Sequence, residues 1–202
     1  MKTTKAPREF ALEELPEGIS RKNIEDHYHN LYKGYVNKFN EIQDALERTV
    51  KSGNASYSVY RELKREEVFT ADAIRLHEAY FDVLGGEGRC DGTIMEWIGM
   101  DFGSFEDWAA DLRAAAMSAR GWVVLAYDVA DGCLRNYVTD IHSDGVWAAQ
   151  PLIVLDVYEH AYYSDFGPDR AAYVERWLQN VNWERANAAI RRLGIEETRK
   201  AA

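Results

Sequence analysis

The 202-residue chain has few cysteines, and the two that it has are far apart. Cys90 and Cys133 form no metal-binding spacing, which argues against a thiolate metal site. Two thiols in a chain of this length are typical of a reducing compartment, so we expect a cytoplasmic protein. One disulfide between them is the alternative.

Long apolar runs are also missing. No run approaches the roughly 18 residues that a membrane-spanning helix needs, so we expect no membrane partner. Basic residues lie among Met1–Lys5, but no apolar stretch follows them, and we therefore predict no signal peptide.

Positive charge is in deficit, with 24 Lys and Arg against 34 Asp and Glu, a net charge of −10. Nucleic-acid binding needs a basic face, so this balance argues against a nucleic-acid partner. The net negative charge also repels an anionic substrate at long range. Salt screens that repulsion beyond about 8 Å, so that local charge decides entry.

Two helical patterns dominate the first half. Behind a possible N-cap at Ser20, apolar residues recur in steps of three and four from Ile24 to Leu46, which predicts one long helix. A short helical stretch is expected over 57–64, and a second long helix opens near Thr70. The run Gly85–Gly88 ends it and is the best candidate boundary. We predict an N-terminal α-hairpin domain over 1–86 and a C-terminal α/β domain over 87–202.

The second half mixes helices and strands. Ser104 begins a helix with a capping-box-like start. Strands are predicted at 122–127 and 133–138, around a turn at Asp131-Gly132, and at 152–155. A closing helix carries Tyr173, Trp177 and Val181. The expected fold class is α+β, an antiparallel helical hairpin followed by a domain with a three-stranded antiparallel sheet.

Three polar residues fall in apolar surroundings. His27 and His77 lie within the apolar stretches of the two long helices, and Asp156 closes the buried strand. Each of the five histidines taken singly is more often an ordinary core or surface residue. A buried polar group needs a partner, however, and His160 follows Asp156 by four residues. Imidazole nitrogen and carboxylate oxygen suit a first-row transition metal, so one shared cation explains the set most simply.

The string from Asp156 to Tyr163, DVYEHAYY, resembles the D-x-W-E-H-A-Y-Y signature of the iron/manganese superoxide dismutases. The segment 27–37 is similar to the first-helix motif of that family. The likeness covers about residues 20–195. Further segments follow in family order: Phe102–Phe105, Gly121-Trp122, Asp131-Gly132, Arg170 and Asn180–Glu184.

The resemblance implies a metal site and a set of residues around it. The implied ligands of one iron or manganese ion per chain are His27, His77, Asp156 and His160. Tyr35 matches the gateway tyrosine. His142 matches a residue that hydrogen-bonds the solvent ligand of the metal, while Ala73 replaces the Gln that other members place on the second helix. The alternative for His142 is an exposed loop histidine. A histidine in the solvent-bonding role slightly favours iron as the metal.

Further roles are implied for the surroundings of the site. Trp122, Tyr158 and Arg170 support it, and Glu159 and Tyr163 reach across a subunit interface, so a homodimer or tetramer is expected. Two departures stand out: Leu31 replaces a proton-relaying His, and Tyr158 replaces a Trp. His29 lies on another face of the helix and is not expected to substitute.

The resemblance implies an enzyme that disproportionates superoxide to dioxygen and hydrogen peroxide. One carboxylate among three neutral imidazoles suits a cycle in which electron gain is balanced by proton gain. The alternative is a metal-binding member of the family without dismutase activity, serving a binding or structural role. A hydrolase is disfavoured, because no nucleophile elbow, H-E-x-x-H motif or phosphate loop occurs.

Overall fold

A computed structural model describes residues 4–10 and 18–201. Its helices and strands follow in chain order, with a π-helical segment, His27–Tyr32, between the first two helices. They are α1 Arg21–Asp26, α2 Lys33–Arg48, α3 Val59–Asp82, α4 Gly92–Phe102, α5 Phe105–Ser118, β1 Trp122–Asp128, β2 Cys133–Thr139, β3 Ala149–Asp156, α6 Glu159–Phe166, α7 Arg170–Leu178, α8 Trp183–Leu193 and α9 Ile195–Ala201.

The N-terminal helices form the predicted antiparallel hairpin. Ser20 caps α1, its hydroxyl accepting a hydrogen bond from the backbone N–H of Asn23. Gln43 bonds Glu67, and Tyr32 bonds Glu78. As the residue number increases along the first helical run, the number of its partner on α3 decreases. This is the pattern of antiparallel helices. The sequence did not predict the π-helical segment that interrupts the first helical run.

The predicted break before Thr70 is wrong, since α3 runs unbroken through it. Ser58 caps this helix by accepting from Arg61 N–H, and 59–82 contain neither glycine nor proline. The Thr70 hydroxyl donates to the carbonyl of Glu66, four residues back, which a helix interior tolerates. Thr70 is therefore a polar residue inside a helix and not a helix start.

The three-stranded antiparallel sheet confirms the predicted fold class, with strand order β2-β1-β3. The turn between β1 and β2 forms because an Asp128 carboxylate oxygen accepts from the backbone N–H groups of Ala130 and Asp131. Gly132 there has φ of 70°, a conformation that favours glycine. Strand β1 is buried throughout and aligns Trp122 with Asp156.

The C-terminal helices were only partly predicted. Tyr173 and Trp177 lie on α7 as expected, but Val181 lies beyond its end, and α4, α6, α8 and α9 were not predicted. The glycine-rich boundary packs tightly: a Cβ on Gly86 would lie 2.4 Å from the backbone of Asn182. The division into domains at residue 86 stays a prediction.

Three smaller expectations concern the termini, the thiols and the membrane. The residues up to about Glu14 show little periodicity, which predicts an arm; positions 1–3 and 11–14 lie outside the described residues, whereas Lys5 exchanges hydrogen bonds with Asn40. Cys90 and Cys133 are free thiols, so the disulfide alternative is wrong. Within the described ranges, no helix is both long and apolar enough to cross a bilayer.

Candidate metal centre

Four side chains from four parts of the chain meet at one point. His27 opens the π-helical segment, His77 lies on α3, Asp156 ends β3 and His160 lies in the first turn of α6. One nitrogen or oxygen from each lies within 4.8 Å of the others. This is the scale of a single coordination sphere, because metal–ligand distances are roughly 2.0–2.2 Å. The packing of α3 against β3 brings His77 to Asp156.

Asp156 is the centre of the cluster. Its Oδ2 lies 3.1 Å from His160 Nε2 and 3.3 Å from His27 Nε2. Its Oδ1 accepts a hydrogen bond from the backbone N–H of Tyr158 at 2.9 Å. The side chains of His27 and Asp156 are fully buried, whereas 29% of the His160 side chain is exposed.

Several ring nitrogens of the cluster lack hydrogen-bond partners, which indicates a binding site for a ligand. His27 Nδ1 and His77 Nε2 have no hydrogen-bond partner, and His27 Nε2 makes no hydrogen bond although it lies 3.3 Å from Asp156 Oδ2. His77 Nδ1 lies 2.6 Å from the carbonyl of Ala73, which can only accept, so the ring proton is on Nδ1 and Nε2 keeps a lone pair. Buried polar atoms without partners are costly. A cation resolves this cost, and the donor set fits a first-row transition metal.

The protonation states suit metal binding. Burial lowers the pKa of His27 and that of His77, and both imidazoles are therefore neutral with lone pairs to donate. Burial alone would raise the pKa of Asp156, but the neighbouring His160 and His27 hold it below its ordinary value. The cluster thus offers one anionic oxygen from Asp156 and neutral nitrogens from His27 and His77.

A hydrogen-bonded chain lies beside the cluster. Trp122 Nε1 donates to His142 Nδ1 at 2.9 Å, and His142 Nε2 lies 2.9 Å from the Tyr35 hydroxyl. An indole N–H can only donate, so Nδ1 is the acceptor and Nε2 carries the ring proton. His142 therefore donates to the Tyr35 oxygen, which leaves the hydroxyl hydrogen free for another acceptor. Only 3% of His142 is exposed, unlike the loop histidine of the alternative expectation.

Tyr158 lies between the cluster and the loop 140–148. Its ring stacks on that of His160, with centroids 5.3 Å apart and planes 16° apart. Its hydroxyl donates to the carbonyl of Asp140 at 3.0 Å. Burial raises the pKa of Tyr158 to about 12, so this hydroxyl stays a donor at neutral pH.

The remaining predicted residues lie further out. Arg170 donates to the carbonyls of Ala116 and Ala119, so it fastens the end of α5 instead of touching the cluster. Glu159 and Tyr163 lie exposed on α6, near His160. Leu31 is half-exposed. His29 is exposed, and its ring packs against Tyr28.

Aromatic residues that were not among the predicted site residues surround the cluster. Tyr80 and Phe81 pack on the His27 ring at 5.2 and 5.1 Å, and Phe69 packs on His142 at 4.7 Å. All three lie on α3 at helical spacings from His77, a signal that could have found them. Tyr173 donates its hydroxyl hydrogen to the Asp156 carbonyl at 2.8 Å, and no local pattern identifies it.

Comparisons with known proteins show which family this chain resembles. Residues 90–189 match the family model described as iron/manganese superoxide dismutases, C-terminal domain. The chain is 39% identical to a superoxide dismutase [Fe] of Aquifex pyrophilus over 188 residues, which is 90% of this chain and 88% of the relative. It is 40% identical to a superoxide dismutase [Fe] of Cupriavidus metallidurans, covering 84% and 87% of the two chains. It is 31% identical to a superoxide dismutase [Mn] 1 of Halobacterium salinarum, covering 88% and 90%.

Proposed function

We infer that this chain, which belongs to the iron/manganese superoxide dismutase family, is itself a superoxide dismutase. It converts two superoxide anions and two protons into dioxygen and hydrogen peroxide. The observation that carries this conclusion is the buried cluster of three imidazoles and one carboxylate, with its unpartnered nitrogens. The similarity to dismutases over most of the chain supports the enzyme and not the inactive metal-binding alternative.

His27, His77, Asp156 and His160 would hold one iron or manganese ion per chain. When bound, the ion supplies the alternating one-electron oxidation and reduction that dismutation needs. Asp156 would be the single anionic ligand among three imidazoles, so a bound ion would keep a net positive charge that attracts a small anion. Iron is favoured, because the iron-named relatives are more similar to this chain than the manganese-named one.

Tyr35 is the proposed proton donor for the second half of the reaction. Its ring lies 5.4 Å from that of His77, measured between centroids, so it borders the cluster. Burial raises the pKa of Tyr35, which keeps its hydroxyl protonated at neutral pH. His142 donates to the Tyr35 oxygen and so directs the hydroxyl hydrogen away from itself, towards an incoming anion.

His142 is the proposed orienting group for this hydroxyl. Burial lowers its pKa to about 4, so the ring is neutral at physiological pH and carries its one proton on Nε2. An apolar side chain at position 31 can neither donate nor accept a proton. Proton delivery within one chain therefore rests on Tyr35 and solvent.

The assembly is proposed to be a homodimer, or a tetramer built from such dimers. Exposed Glu159 and Tyr163 flank the partly exposed His160 on α6. In this arrangement Glu159 of each chain accepts a hydrogen bond from His160 of the other, a reciprocal contact typical of two-fold symmetry. Two free thiols favour a cytoplasmic location.

The test compares two histidine substitutions. His77→Ala removes a buried ligand, whereas His29→Ala removes an exposed imidazole outside the cluster. Metal analysis and a superoxide-consumption assay are run on both variants and on the unchanged protein. We expect about one metal ion per chain and high activity in all but His77→Ala, which loses both. Full metal content without activity in the unchanged protein would overturn the proposal, as would an active His77→Ala variant.

A further inference from the structure

The loop 140–148 carries His142 and is tied down at few other points; its far end is held where the Ala148 carbonyl accepts from the backbone N–H of Val129 at 3.3 Å. Ile141, Val146 and Trp147 are exposed, Trp147 to 93%, whereas His142 is 3% exposed. His142 is thus a buried side chain on a loop whose other residues are mostly exposed to solvent. A group placed by such a loop needs an anchor near its base, because solvent-exposed loop backbone is otherwise mobile.

Asp140, two residues before His142, is anchored on two sides. Its carboxylate accepts from the backbone N–H of Arg120 at 3.1 Å. The Arg120 guanidinium lies 3.7 Å away, but that side chain is 85% exposed, and such ion pairs contribute little. On the other side, the Asp140 carbonyl accepts the hydroxyl hydrogen of Tyr158 at 3.0 Å.

Tyr158 is itself firmly placed. Its backbone N–H donates to Asp156 Oδ1, its ring stacks on His160, and it meets the Trp122 ring edge-on at 6.0 Å. Its ring centroid lies 5.3 Å from that of His142. One side chain therefore joins the proposed ligands to the base of the loop that carries His142.

The slot for the Tyr158 hydroxyl depends on a glycine. A Cβ on Gly121 would lie 2.9 Å from that hydroxyl oxygen and 3.0 Å from the Asp140 carbonyl oxygen. Any side chain at position 121 would push apart the donor and the acceptor. Gly121 and Tyr158 thus form one steric unit around this hydrogen bond.

We propose that Tyr158 is a positioning residue for the reaction, whose hydroxyl holds the loop so that His142 stays between Trp122 and Tyr35. Only the expected effect of Tyr158 on turnover rests on the proposed function; its hold on the loop does not. The tryptophan of the family signature has no hydroxyl, so an indole at position 158 cannot reproduce this hydroxyl–carbonyl bond. The bond would be a feature of this chain and not of the signature.

The first test is Tyr158→Phe, which keeps the ring and removes the hydroxyl. Hydrogen–deuterium exchange of the metal-loaded protein, followed over 139–148, is expected to become about fivefold faster, the effect of losing one hydrogen bond of ordinary net strength. Metal content should stay unchanged. Gly121→Ala should produce the same change with the phenol retained. Tyr137→Phe is the matched control, since the Tyr137 hydroxyl donates to Asp128 near the opposite end of β2.

The second test asks whether Tyr158 acts through His142. Tyr158→Phe should lower turnover about fivefold in the unchanged background, but less than about 1.5-fold in a His142→Ala background. Equal losses in both backgrounds would overturn the proposal in favour of a general structural role. Loss of metal or unchanged loop exchange in Tyr158→Phe would also overturn it. A metal-loaded, inactive unchanged protein would refute the proposed function, while loop exchange would still decide the role of Tyr158.

Discussion

Replacing Asp156 by Asn should separate metal binding from folding. The amide has the shape of the carboxylate, and its oxygen can still accept the hydrogen bond from Tyr158 N–H. What disappears is the only negative charge in a cluster whose other three members are imidazoles. We therefore expect a folded protein that gains much less stability from iron or manganese.

The magnitude follows from linkage. Free metal at about a thousandfold excess over its dissociation constant stabilises the native state by roughly 4 kcal/mol. For a chain of this length, that raises Tm by about 8–16 °C. The attraction between two unit charges at 4 Å is also about 4 kcal/mol at an effective dielectric constant of 20. Losing one such attraction weakens binding about a thousandfold, so the same metal concentration should raise Tm of Asp156→Asn by only about 1–2 °C.

The assay is thermal unfolding with and without added metal, together with metal analysis after dialysis. Asp26→Asn is the matched control, because Asp26 immediately precedes His27 yet is exposed and paired with Lys22. It should keep the full metal-dependent rise in Tm. If Asp156→Asn also kept that rise and its metal, the assignment of Asp156 as the anionic ligand would be refuted.

Two further predictions concern His142 and Leu31. The pKa of His142 is lowered to about 4, so the unfolded chain binds more protons below pH 6.5, and metal-free protein should lose stability as pH falls from 6.5 towards 4. His142→Gln should reduce the loss between pH 7.5 and 5 by on the order of 1 kcal/mol in urea unfolding, and an unchanged loss would contradict the stated cause. Leu31→His should raise turnover or weaken product inhibition in peroxide-release kinetics at equal metal loading, provided that Tyr163 of a second copy lies within reach. Unchanged kinetics with lower thermal stability would instead mean that Leu31 contributes only apolar packing, worth roughly 1–3 kcal/mol.

Much of the fold could be predicted because the strands and turns have local causes. The apolar β-branched runs around Val123 and Ile153 predicted β1 and β3 to within a few residues of their ends, and Asp131-Gly132 predicted the turn before β2. The three ligand candidates on helices and strand could be proposed for a related reason. Each is a polar residue placed where local periodicity predicts burial, and such a residue needs a partner.

Other features have causes that lie far away in the chain. The helices α4 and α8 hold each other through Asn187, which accepts from Ile94 N–H and donates to the Asp91 carbonyl. The π-helical segment shows no marker in its own residues, although such segments often occur at functional sites. The hydrogen bond from Tyr158 to Asp140 joins residues eighteen positions apart, and neither residue predicts the other.

The same difference explains why local sequence rules point to the cluster itself, whereas residues such as Trp122 and Tyr158 were expected beside it only from the family resemblance. Within the described parts of the chain, His27 and His77 account for three of the six buried side-chain atoms without a hydrogen-bond partner. A sequence optimised for stability alone would replace such residues with apolar ones, so their presence conflicts with local packing rules and can be noticed from the sequence. Trp122, Tyr158 and Tyr173 conflict with no such rule, since large aromatics are expected in a core. Their roles depend on where the indole N–H and the two hydroxyls point, and only the folded chain determines that.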